Sequence, residues 1–137
     1  MITPSQYRKQ SEGGFTIIEL LIVMAILGML AVMVAPNLFS KADGARRDAA
    51  LSQISAVSSV LSQHRLDVGR YPDDLEGLIE NTTGRASWDG PYIQNSVPKD
   101  PWGNEYFYES DGSSFTLMSY GADGVEGGEG NDADIRL

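Results

Sequence analysis

The sequence has no cysteine. It therefore forms no disulfide in any compartment, and no cysteine thioether anchors it to lipid. It has one histidine, His64, beside Arg65 near the end of a helical stretch, and we read it as a surface residue. No cysteine pairs with it for nucleophilic chemistry, no Gly-x-Ser-x-Gly motif is present, and no P-loop is present. Nothing in the motifs points to an enzyme, and energy from ATP has to come from another protein. Positive charge is scarce: 10 Lys and Arg face 19 Asp and Glu, a net charge of −9. That balance excludes nucleic acid as a partner.

What is present in excess is one apolar run. Phe15 to Ala35 reads FTIIELLIVMAILGMLAVMVA, roughly twenty residues with a single carboxylate at Glu19. At about 1.5 Å per residue such a helix spans about 30 Å, the thickness of a bilayer's hydrocarbon core. A buried helix of a soluble core is the competing reading, but the remaining chain is too small to wrap it. Before the run lie polar residues with Arg8 and Lys9. Positive charge beside a span holds that end in the cytoplasm and sends the rest to the far side. The small pair Gly13-Gly14 precedes the apolar run, the reverse of a secretory signal. Cleavage between Gly14 and Phe15 would leave the membrane helix in the product. Losing that leader removes Arg8, Lys9 and Glu12, so the side-chain charge falls by one to −10.

Glu19 poses an electrostatic problem. An ionised carboxylate at membrane depth costs several kcal/mol unless paired. After cleavage the amine of Phe15 is a cation at similar depth, one turn below Glu19 in its own chain and able to meet Glu19 of a shifted neighbour. The residues leave two readings open: an assembly residue that sets subunit stagger, or a glutamate snorkelling to the headgroups.

Further along, Gly28 and Pro36 interrupt the run. Pro36 leaves the carbonyl of Val32 without its helical partner, which suits the water boundary or a segment able to stretch in a packed filament. From Asn37 to about Asp67, Ala50, Ile54, Val57 and Leu61 recur at helical spacing, flanked by Ala42, Ala45, Ala49, Leu51 and Val60. One helix of about fifty residues is expected. Gly69 and Pro72 end it. Asp73 is expected to cap a short helix through Leu78. Asn81 to Lys99 reads as an irregular loop pinned by aromatics, with Trp88 and Trp102 as packing anchors. Glu105–Glu109 and Ser114–Ser119 read as strands around an Asp111-Gly112 turn. The fold class is then α+β: a long N-terminal helix on a small C-terminal antiparallel sheet. Three regions follow: a leader, 1–14; a membrane helix, 15–36; and a globular domain, 37–137.

After the second strand comes YGADGVEGGEGNDADI, with Asp123, Glu126, Glu129, Asp132 and Asp134. Such a loop is expected to be disordered unless a cation gathers it. Hard oxygen ligands at flexible spacing suit Ca²⁺ better than Mg²⁺, and the spacing is not that of an EF-hand. A solvated acidic turn is the competing reading.

Two stretches carry a family resemblance. GGFTIIEL resembles the type IV pilin and pseudopilin family, and implies cleavage after Gly14 and N-methylation of Phe15 by a prepilin peptidase, with Glu19 in assembly. PKDPWGNEYFY followed by the acidic loop is similar to the major pseudopilins of type II secretion systems, and the resemblance covers Gly13 to Ile135. It implies a type IV pilin-like fold and calcium bound through aspartates and backbone carbonyls, with Asp123 and Asp134 matching the family's aspartates. Asp132 is the less direct match, because Ala133 splits the usual adjacent pair. The implied protein sits in the inner membrane by a single pass, with its domain in the periplasm, and polymerises with copies of itself. Implied partners are minor pseudopilins, an inner-membrane assembly platform with its ATPase, and an outer-membrane secretin. The alternatives are a surface type IV pilin for adhesion or motility, which the lack of a cysteine pair disfavours, and a singly anchored calcium-binding module that never polymerises.

Overall fold

The computed structural model describes residues 13–137. The leader positions Arg8, Lys9 and Glu12 lie outside the described residues. Helix α1 spans Ile17–Val68, 52 residues, and continues through Pro36. After it come a 3-10 turn (Leu75–Leu78), strands β1 (Phe107–Ser110) and β2 (Phe115–Ser119), a second 3-10 turn (Gly130–Asp132) and strand β3 (Ile135–Arg136). The chain divides into two compact units, one ending at Phe39 and the other running Ser40–Leu137.

In the first unit every large apolar side chain from Phe15 to Phe39 is between 49% and 86% exposed. A helix belonging to a soluble core would bury one face. The most apolar window of this helix is wholly unburied, which disfavours the buried-helix reading and is consistent with a membrane anchor.

The second unit has its own core. Ala50, Ile54, Val57, Leu61, His64 and Val68 are buried on α1, at alternating steps of four and three that make one stripe. Tyr71, Leu78, Tyr106, Leu117 and Ile135 cover it. Fully burying one such aliphatic side chain stabilises by about 1.5–3 kcal/mol. The expected flanking positions Ala42, Ala45, Ala49 and Leu51 are exposed, because the covering layer is narrower than the stripe read from sequence. Gly69 ends α1 at φ +88°, its N–H bonding the carbonyl of Arg65 at 2.8 Å.

His64 is a correction: it is fully buried. It lies three residues beyond Leu61, so it continues the apolar stripe. Its Nδ1 donates to the carbonyl of Arg70 at 3.0 Å, and its ring meets Tyr92 edge-on at 5.4 Å. Nε2 is buried without a hydrogen-bond partner. The short-helix cap is a second correction. Asp74 accepts from the Gly77 N–H at 3.1 Å, whereas Asp73 pairs with Arg70 at 2.6 Å. Trp88 does anchor the irregular segment: its Nε1 donates to Gly77 O at 3.0 Å and its ring packs edge-on against Tyr92.

The sheet is antiparallel in the order β1-β2-β3. Its first hairpin pairs Phe107 with Met118 and Ser110 with Phe115, so β1 begins two residues later than the aromatic run suggested. Asp111 closes the turn by accepting from the N–H groups of Ser114 and Ser113, and these bonds hold its carboxyl below the usual carboxylate range. Strand β3 was not foreseen. It has two residues, too few to alternate, yet it pairs Ile135 with Ser119 and ties the chain's last residues into the core.

Candidate functional site

Two sites follow from the residues singled out. The first lies at the start of α1. Gly14 and Phe15 precede the helix in irregular backbone, and the Gly13 and Gly14 Cα atoms face open space. The Gly14–Phe15 bond is therefore outside helical structure and reachable, as proteolytic sites are. One residue on, Thr16 and Glu19 form a reciprocal cap. Glu19 Oε2 accepts from the Thr16 N–H at 2.8 Å and from its hydroxyl at 3.0 Å, while Thr16 Oγ1 accepts from the Glu19 N–H at 3.3 Å. This is a capping box, satisfying backbone donors that membrane burial would make costly. The Thr-x-x-Glu spacing was available in the sequence and was overlooked beside the charge problem of Glu19.

The second site is the acidic loop. Its chain crosses itself at a neck, where the Ala122 N–H donates to Asn131 O at 2.9 Å. Gly121 and Gly128 both have positive φ, and a Cβ on either would lie within 3 Å of the Asp132 carbonyl oxygen. Only glycine allows this approach. Asp123 Oδ1 accepts from the Val125 N–H at 3.1 Å, and Asp134 Oδ1 accepts from the Gly127 N–H at 3.0 Å. Asp132 lies in the second 3-10 turn. Among the described residues, no three Asp, Glu or His side chains converge as a metal-binding group. The donor set is nonetheless all hard oxygen, with carbonyls drawn inward against the glycines. Oxygen donors of this kind are the class Ca²⁺ takes, and they do not form a cage of carboxylates alone.

The loop is also gathered by protein groups outside it, which revises the expectation that only a cation would do so. Asn104 Nδ2 donates to Gly121 O at 3.0 Å, and the Gly121 N–H donates to Ser119 Oγ at 3.1 Å. Ser119 in turn donates to Asp100 Oδ2 at 2.6 Å, and Asp100 Oδ1 accepts from the N–H groups of Trp102 and Asn104 at 3.1 and 2.8 Å. Asp100 and Ser119 are both buried. Asp100-Pro-Trp-Gly-Asn104 has the composition of a side-chain-closed turn, a signal that pointed here.

Two tyrosines titrate late, Tyr106 just before β1 and Tyr108 within it. Burial, with the Asp100 carboxylate nearby, pushes Tyr106 up to about 12; its hydroxyl donates to Gln53. Burial pushes Tyr108 up to about 12 as well, and its hydroxyl donates to Pro72 O at 2.8 Å. Unfolded tyrosines release their protons near pH 10. Between pH 10 and 12 the folded state thus holds protons that the unfolded state has lost, and stability falls as pH rises. Stability measured by denaturant titration should be flat from pH 8 to 9.5 and decline steeply above 10. Tyr106→Phe and Tyr108→Phe should each make that decline shallower, and an unchanged slope in both would refute the assignment.

Comparison with known proteins now adds to this geometry. The family model described as type II secretion system (T2SS), protein G, matches residues 37–137, and a prokaryotic N-terminal methylation motif matches residues 9–35. The type II secretion system core protein G of Pseudomonas aeruginosa is 40% identical over 136 residues, covering 93% of this chain and 96% of its own. That of Vibrio cholerae is 43% identical over 136 residues, covering 93% and 92%. A crystal structure of the major pseudopilin from the type 2 secretion system of enterohaemorrhagic Escherichia coli superposes with a TM-score of 0.55 at 32% identity, over 73% of this chain and 92% of that one. The match over 37–137 lies where a surface pilin would diverge, so it decides between those two readings.

Proposed function

This chain belongs to the type II secretion system protein G family of major pseudopilins, and we propose that it is cut after Gly14, methylated at Phe15 and polymerised from the inner membrane into a periplasmic filament. The observation that carries this reading is the uncovered apolar helix, exposed on all sides from Phe15 to Phe39. In the membrane, lipid covers it. In a filament, the same surface is covered by copies of itself, so the helix leaves lipid without meeting water. Glu19 supports the reading, because the new amine of Phe15 gives its carboxylate a partner at membrane depth.

The prepilin peptidase makes the cut, and a membrane platform with its ATPase supplies the work, since the sequence carries no P-loop motif. Minor pseudopilins are partners of this chain, and growth of the filament pushes or gates cargo toward an outer-membrane secretin. The acidic loop binds Ca²⁺ through Asp123 and Asp134, with Asp132 and backbone carbonyls completing the shell. When bound, the ion neutralises the crowded carboxylates and fixes the loop.

Two measurements on full-length protein extracted from membranes test this. The intact mass should correspond to residues 15–137 plus one methyl group; a mass retaining Met1 overturns the processing. Calcium at a hundred times its dissociation constant should stabilise the domain by about 2.7 kcal/mol, a rise of roughly 10–15 °C in Tm. A melting curve indifferent to millimolar CaCl₂ removes the ion from the proposal.

A further inference from the structure

The acidic loop is held from two directions, and only one of them lies near it in sequence. Its first half is fixed at Gly121 by Ser119 and Asn104. Its second half is met by Arg47 of α1, whose Nη1 donates to the carbonyl of Gly130 at 2.8 Å across 83 positions of sequence. Gly130 has φ +61° and opens the 3-10 turn that carries Asp132. Around this bond runs an open groove of about 510 Å³, lined on the helix by Ser40, Asp43 and Gly44 and on the loop by Asn131 and Ala133. A segment rich in glycine and in like charges pays a large entropy to keep one conformation. The Arg47 guanidinium offsets this with a charge-assisted bond to the Gly130 carbonyl.

We infer that Arg47 is a positioning residue: by holding the Gly130 carbonyl it fixes the second half of the acidic loop against α1, independently of any bound cation. Lysine at this position keeps the charge and a donor. Methionine keeps the length and loses both. Where the inference touches calcium it rests on the reading of this loop as a Ca²⁺ site: an ion that orders the same backbone makes the arginine bond less necessary.

The test is hydrogen exchange, followed by mass spectrometry, on the full chain in detergent micelles, in EDTA and in CaCl₂. In EDTA, amides of 122–134 should exchange about tenfold faster in Arg47→Met than in the parent, and near the parent rate in Arg47→Lys. Amides of β2 should be unchanged in all three. Parent-like exchange of the loop in Arg47→Met overturns the inference, and so does equal acceleration of β2, which would mean general loosening. Saturating CaCl₂ should narrow the gap between parent and Arg47→Met. A parent loop indifferent to CaCl₂ overturns the calcium reading alone, because the EDTA comparison still decides the role of Arg47.

Discussion

Glu19→Gln should leave the protein in the membrane, processed and folded, and stop it from polymerising. Glutamine keeps the capping box, since its side-chain oxygen can still accept the Thr16 N–H now bonded at 2.8 Å. It removes the negative charge that a neighbour's Phe15 amine would neutralise. Breaking a desolvated ion pair by removing one partner typically costs about 3–5 kcal/mol, because the remaining charge is stranded. Spread over one contact per added subunit, that weakens each addition by about 100-fold or more. Glu19→Ala loses the cap as well, worth about 0.5–2 kcal/mol, and should be no better. Filament yield after overproduction, read by shearing and sedimentation, separates the two roles of this residue. Normal filaments from Glu19→Gln with none from Glu19→Ala would assign Glu19 to helix capping and end the charge-pairing account.

Asp100→Ala should be the most damaging single change in the globular unit. It strands the N–H groups of Trp102 and Asn104 and the hydroxyl of Ser119, all bonded to the carboxylate at 2.6–3.1 Å. Each buried group left unsatisfied costs about 1–3 kcal/mol. A total of about 3–5 kcal/mol lowers Tm by roughly 15–25 °C in a domain of this size. Asp100→Asn keeps an acceptor for both backbone donors and should lose much less. The loss should also loosen the acidic loop, because Ser119 passes the anchorage on to the Gly121 N–H at 3.1 Å. A thermal melt followed by circular dichroism decides it: a drop of only a few degrees in Asp100→Ala would mean that water replaces the carboxylate easily.

Asp100 and Glu19 illustrate different kinds of legibility. Glu19 stood out from the linear order because it is a lone charge in an apolar run, and its setting is local. Its capping partner Thr16 is three residues away. Asp100 sits among ordinary turn residues, and its burial depends on Ser119, nineteen residues on, arriving at the same place. His64 failed for a related reason. A histidine between Gln63 and Arg65 reads as polar surface, but the helical stripe places it inward and the Arg70 carbonyl satisfies one of its nitrogens. The acidic loop with Asp123, Asp132 and Asp134 was legible as a composition. Their arrangement was not, since backbone carbonyls and the glycine neck carry no side-chain signature.

Order along the chain was therefore enough to determine the apolar helix, the core stripe from Ala50 to Leu61, and the hairpin around Asp111. Each of these depends on spacing within one element or between neighbours. Tertiary structure alone decided that α1 reaches the acidic loop through Arg47, that β3 closes the sheet, and that Asp100 supports the loop from beneath. Those contacts join positions 16 to 83 residues apart. Hydrophobic periodicity reports which face of an element is buried; which donor meets which acceptor is settled only when the faces pack.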